Sequence, residues 1–259
     1  MTRSGVAKTV AAVVAIVGLA AVVGGAWWMQ DRDMAAPPPG APVVLDAPAI
    51  AAMPSGGVAG IEAEHGFKRY PRAAFIGDTY GLSMASESGR GWVDEVTTNM
   101  CWSVSGKSIE MRTGYTNPGT GGTSVFAERI DDVSKSTPSI VVIEGGLHDY
   151  DAPPDQLYEA ARNVFAAGRA MLPPEAMIVA VGPPKPPTVP IENASRVLDP
   201  LARAAADTGV VFINPAAENW LPDGTFFHAE GFLLNAKGHQ EFARRLTEHL
   251  RALGAPAGC

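Results

Sequence analysis

Three stretches collect the residue types from which hydroxyl chemistry is built. In the first, Ala73-Ala74-Phe75-Ile76-Gly77-Asp78-Thr79-Tyr80-Gly81-Leu82-Ser83, an apolar run stops at Gly-Asp-Thr. The second is Gly145-Gly146-Leu147-His148-Asp149, and the third runs from His228 through Glu230 and Leu233 to His239. A threonine hydroxyl is a weak nucleophile until a neighbouring imidazole takes its proton, and the oxyanion that develops on its target needs donors already in place. Thr79 is the candidate hydroxyl, and His148 and His228 are the candidate bases. Asp78, Asp149 and Glu230 are the carboxylates beside them. Each has a plainer alternative: Asp78-Thr79 can cap a helix, and a half-buried, hydrogen-bonded histidine needs no catalytic role. His239, at the start of the last helical stretch, reads as structural.

The elements that must carry these loops follow from periodicity. Residues 73–76 read as a first core strand. Gly91 to Thr97 has helical spacing, Lys107 to Met111 reads as a second strand, and 113–123 is turn chemistry throughout. Ser139 to Glu144 is β-branched on both faces, as in a central strand of a parallel sheet. A helix from Pro153 or Asp155 to Met171, a strand from Met177 to Val181, a helix from Ser195 to Asp207, a strand from Val210 to Ile213 and a helix from Ala236 to Leu253 complete the alternation. Such a pattern predicts a doubly wound or three-layer α/β domain, and open sheets of this kind bind at the carboxyl ends of their strands.

Residues 10–28 hold no charged side chain, long enough as a helix to cross a bilayer. Arg3 and Lys8 precede the stretch and Asp31, Arg32 and Asp33 follow it, which predicts a cytoplasmic N-terminus and an extracytoplasmic remainder. A cleaved signal peptide, giving a secreted domain, is the competing reading. Residues 1–33 are thus a membrane anchor, 34–66 a Pro/Ala/Gly-rich tether, and 67–254 the folded domain. The net charge of −7 and the absence of a basic cluster argue against a nucleic-acid partner. With Cys101 and Cys259 alone, no cysteine-based zinc site can form, while a single bridge between them stays open. Asn193-Ala194-Ser195 matches a glycosylation acceptor, and Trp92, Tyr115 and Trp220 are either groove or core aromatics.

In the order of its three loops the chain resembles the SGNH hydrolases, the GDSL esterase/lipase family, over roughly residues 70 to 252. Members carry Gly-Asp-Ser after the first strand, a glycine in a second block, Gly-x-Asn-Asp after the central strand, and Asp-x-x-His before the last helix. The resemblance implies a three-layer α/β/α domain with a central parallel sheet, a serine nucleophile, an oxyanion hole and an Asp-oriented histidine base, with no cofactor or metal. Here Thr79 stands at the serine position and His148 at the asparagine position. Glu230 and Leu233 replace the Asp and His of the last motif, and Gly114 is the nearest candidate for the second-block glycine. Thr79, Gly114 and His148 are the corresponding oxyanion candidates. A leucine where the base belongs implies a domain that has lost ordinary esterase turnover and serves as a binding or scaffold module at the cell envelope, with an acylated glycan or lipid as ligand. The alternative is a working esterase or acyl transferase that uses Thr79 with a relocated histidine.

Overall fold

The structure, a computed structural model, describes residues 69–121 and 123–259. The expected anchor and tether lie outside the described residues. Among those described, no helix is long and apolar enough to cross a membrane.

Among the described residues, five strands form one all-parallel sheet in the order β2-β1-β3-β4-β5: β1 Arg72–Gly77, β2 Ser103–Ile109, β3 Ile140–Glu144, β4 Met177–Val181 and β5 Val211–Ile213. All five residues of β3 are buried, which is why its sequence reads as an unbroken β-branched run. Strand β2 lies four residues before its predicted start. As an edge strand it has no fully buried residue, so Ser, Gly and Lys suffice there and no apolar alternation marks it.

Among the described residues, five α-helices cover the two faces: α1 Trp92–Asn99, α2 Phe126–Ser134, α3 Pro154–Met171, α4 Ile191–Thr208 and α5 Ala236–Ala252. Helix α3 starts on a proline whose missing N–H is not needed in a first turn. Helix α4 begins four residues earlier than predicted, runs through Pro200 and stops at Gly209, which takes φ 64°. Asn235 caps α5 by accepting from the Gly238 amide at 2.9 Å. On one face Trp92, Val96, Phe242 and Leu246 of α1 and α5 pack over Phe75 and Val142. On the other, Phe126, Ile130, Phe165 and Leu201 of α2, α3 and α4 pack over Ile76, Val141 and Ile143. Alternate residues of the strands thus feed two cores, and the three-layer α/β/α architecture with a central parallel sheet is present.

Cys101 and Cys259 form a disulfide across 158 residues. The tail it holds is also hydrogen-bonded, with Trp102 Nε1 donating to the Pro256 carbonyl (2.6 Å) and the Gly258 amide to the Met100 carbonyl (2.9 Å). Trp92, Tyr115 and Trp220 are core residues, each at most 2% exposed. Asn193 is 6% exposed in the first turn of α4, a poor position for a glycan.

Candidate active site

Strand β1 lies between β2 and β3, so the chain winds away from β1 in opposite directions and opens a crevice at the carboxyl ends of β1 and β3. Thr79 and His148 sit there, in short 3-10 turns at Thr79–Gly81 and Leu147–Asp149. Asp78 caps the first turn by accepting from the Tyr80 amide at 2.9 Å. Gly146 takes φ 116° where the chain leaves β3, and a side chain there would strike Val197.

The two turns bring the Thr79 hydroxyl 2.9 Å from His148 Nε2. The Arg112 amide also donates to Thr79 Oγ1, at 2.9 Å. With one lone pair of Oγ1 taken by an N–H, the pairing that satisfies all three groups has the hydroxyl donating to a neutral ring protonated on Nδ1. Burial, reinforced by the nearby Arg112 guanidinium, lowers His148 to about 4. That is a penalty of about 3 kcal/mol on the imidazolium a general base must become. Among the described residues no carboxylate hydrogen-bonds the ring, whereas a triad base is oriented and stabilised by one.

Asp149 faces away from this pair. It accepts from the amides of Tyr115, Thr116 and Asn117 at 3.0, 2.8 and 3.2 Å and from the Thr116 hydroxyl at 2.6 Å, fixing the loop after β2. Gly114 packs directly against that carboxylate: a Cβ there would lie 2.6 Å from Asp149 Cγ. The Gly114 amide is committed to the Asn117 carbonyl at 2.8 Å, so the backbone donor that reaches Thr79 is Arg112 instead.

The loop before α5 carries the remaining expected residues. Leu233 lines a shallow depression over Thr79, together with Leu82, Met84 and Leu234, too shallow to enclose a water-sized sphere. His228 and Glu230 are exposed, and no hydrogen bond joins either to Thr79. His239 is 2% exposed and also lines the depression. Its Nδ1 accepts from the Trp92 amide at 3.2 Å, which leaves its hydrogen on Nε2, and burial lowers it to about 4. Phe232 was not foreseen: its carbonyl accepts from the Tyr80 hydroxyl at 2.6 Å and its ring lies 6.3 Å from that of His148.

Beneath the pair lie two fully buried acids, Asp78 and Glu144. Desolvation drives both above the ordinary carboxylate range, Asp78 to about 7; the Asp149 charge adds to the rise of Asp78, and Asp78 adds to that of Glu144. Among the described residues Asp78 Oδ2 and both Glu144 carboxyl oxygens have no hydrogen-bond partner. Each such orphan costs about 1–3 kcal/mol unless a proton or water meets it. Glu144 carried no signal in the sequence beyond ending a strand.

No protein-family model matches the chain. A GDSL lipase of Mycobacterium tuberculosis is 28% identical over 185 residues, covering 67% of this chain and 79% of that protein. The fold is shared with a family two carbohydrate esterase from Clostridium thermocellum (TM-score 0.58, 19% identity, 72% of this chain and 66% of that one). It is shared too with a lipase/acylhydrolase from Enterococcus faecalis (TM-score 0.55, 15% identity, 70% of this chain and 96% of that one). In sequence the chain is similar to the mycobacterial GDSL lipase, and it shares its parallel sheet, with the motif loops in order at the carboxyl edge, with structures of GDSL-type lipases and esterases.

Proposed function

We propose that the chain is a membrane-tethered, extracytoplasmic SGNH-fold domain that binds a ligand at the cell envelope without ordinary ester turnover. The observation that carries this reading is the pairing at Thr79: a leucine lines the depression at the base position, and the imidazole that does reach the hydroxyl is held to about 4. A base that weak at neutral pH surrenders most of the acceleration that general-base catalysis supplies. Thr79 adds a methyl group that restricts χ1 beside the attack path. The apolar wall of Leu82, Met84, Leu233 and Leu234 suits an acylated glycan or a lipid. The disulfide supports an oxidising compartment, and the uncharged stretch 10–28 supports a membrane tether.

A second reading, an esterase or acyl transferase that uses Thr79 with His148 as base, has the 2.9 Å contact in its favour. The two separate in one assay: hydrolysis of short-chain aryl esters by the full-length chain in detergent micelles, beside Thr79→Ala and His148→Ala. The binding-module reading expects all three at the same background. It further expects the triple variant Thr79→Ser, His148→Asn, Leu233→His to hydrolyse ester above that background. Activity in the unmodified chain that disappears in both single variants would establish the enzyme instead.

A further inference from the structure

Asp78 and Glu144 are unused by either reading. They stand on neighbouring strands, Gly77 being in register with Glu144. A Cβ on Gly77 would lie 3.7 Å from Glu144 Oε2, and one on Gly145 would lie 3.4 Å from Asp78 Oδ2, so each carboxyl is laid over the glycine next to the other. Every element around them contributes a titratable or charged group: Tyr80 from the turn after β1, Tyr115 from the loop after β2, Arg129 from α2, and Asp149 and Tyr150 from the turn after β3. Arg129 does not neutralise the pair. Its Nη1 donates to the Gly77 and Ser108 carbonyls and its Nη2 to Thr113 Oγ1, and its pull on Asp78 is the weakest influence there.

Two buried carboxylates this close cannot both stay ionised. We propose that Asp78 and Glu144 hold one proton between them, directly or across one water, and that Glu144 is thereby a positioning residue for the Thr79–His148 contact. The chain of contacts is short. Asp78 accepts from the Tyr80 amide, which sets the turn carrying Thr79, and it lies beside the Leu147 amide of the turn carrying His148. While the proton is present, Asp78 rests between the two amides with one acceptor satisfied by its partner acid. When the proton leaves, Glu144 repels Asp78 and the two turns lose their common anchor. This holds whether or not the site hydrolyses esters.

The sign follows from the raised values of both acids: their contribution to stability is complete in acid and is lost as pH rises, for Asp78 through about 7. His148 and His239, both held to about 4, act oppositely between pH 6.5 and 4, so the pair is read as a difference between variants. The test uses the full-length chain in detergent micelles as wild type, Glu144→Gln and Asp78→Asn. Infrared spectra at pH 6 should show the carbonyl stretch of a buried protonated acid in wild type, and its frequency should shift in both variants, because the acid that remains no longer shares its proton. The ring resonances of His148 should show, besides the ring's own titration near 4, a second inflection near neutrality in wild type that is displaced in both variants. Asp78→Asn gives the answer by itself if Glu144→Gln does not fold. A wild type without the protonated-acid band, or a band and a neutral inflection that stay where they are in the variants, overturns the proposal.

Discussion

Replacing Cys101 and Cys259 by serine removes a cross-link that closes 158 residues, nearly the whole folded chain. On chain entropy alone a loop of that length is worth about 5 kcal/mol, and measured bridges cluster at about 2–4 kcal/mol because unfolded chains keep some structure. A loss of about 3 kcal/mol, divided by a urea slope of about 2 kcal/mol per molar, moves the midpoint down by roughly 1.5 M. The native hydrogen bonds of the tail, from Trp102 Nε1 to Pro256 and from Gly258 to Met100, remain possible in the variant and do not change the unfolded-state effect. The assay is urea unfolding of the full-length chain followed by tryptophan fluorescence, oxidised, reduced and as the double serine variant, with a thiol-reactive dye counting free thiols. Two reactive thiols under reductant and none without should accompany the shift. Coincident midpoints in all three forms, with the thiols counted as expected, would refute the entropic reasoning.

Gly114→Ala forces a methyl group against Asp149, whose carboxylate holds four donors of the loop after β2. It should cost at least about 2 kcal/mol, read as a lowered melting temperature, and a variant that melts with wild type would show that the loop yields freely. His148 and His239 have lowered values and so contribute stability that is complete above about 6.5 and lost as pH falls through about 4. His239→Gln should therefore flatten the acid side of a stability–pH curve measured by urea midpoints. A curve that keeps its full acid slope would remove His239 from that account.

The interior of the fold was legible wherever burial was two-sided. Strand β3 and helices α3 and α5 declare themselves by unbroken or 3.6-periodic apolar residues, and their boundaries fall within a few residues of those expected. Helix α2 was missed because its inner face hides a charge. Phe126, Ile130 and Val133 repeat correctly, but Arg129 beside them is 3% exposed and spends its guanidinium on carbonyls at the ends of β1 and β2. Strand β2 slipped because an edge needs no apolar code. At the site, the three loops and the candidates Thr79 and His148 were legible from motif order. The Arg112 donor was not, since a backbone N–H leaves no mark in a sequence. Nor was the burial of Glu144, which depends on the glycine of the neighbouring strand giving it room.

All five strands run the same way, so the start of β1 and the Thr79–His148 pair lie at opposite ends of a six-residue strand, about 20 Å apart. The tail returns to the starting end: Cys259 is bonded to Cys101, and Gly258 lies against the Tyr70 ring. Any load passed into the domain through the residues before Tyr70 therefore pulls β1 lengthwise between two neighbours. Both ladders of hydrogen bonds must then slide together rather than unzip one by one. The bridge fastens Cys259 at that same edge, so the beginning and the end of the described chain from Arg69 on meet at one edge of the sheet and the crevice opens at the other.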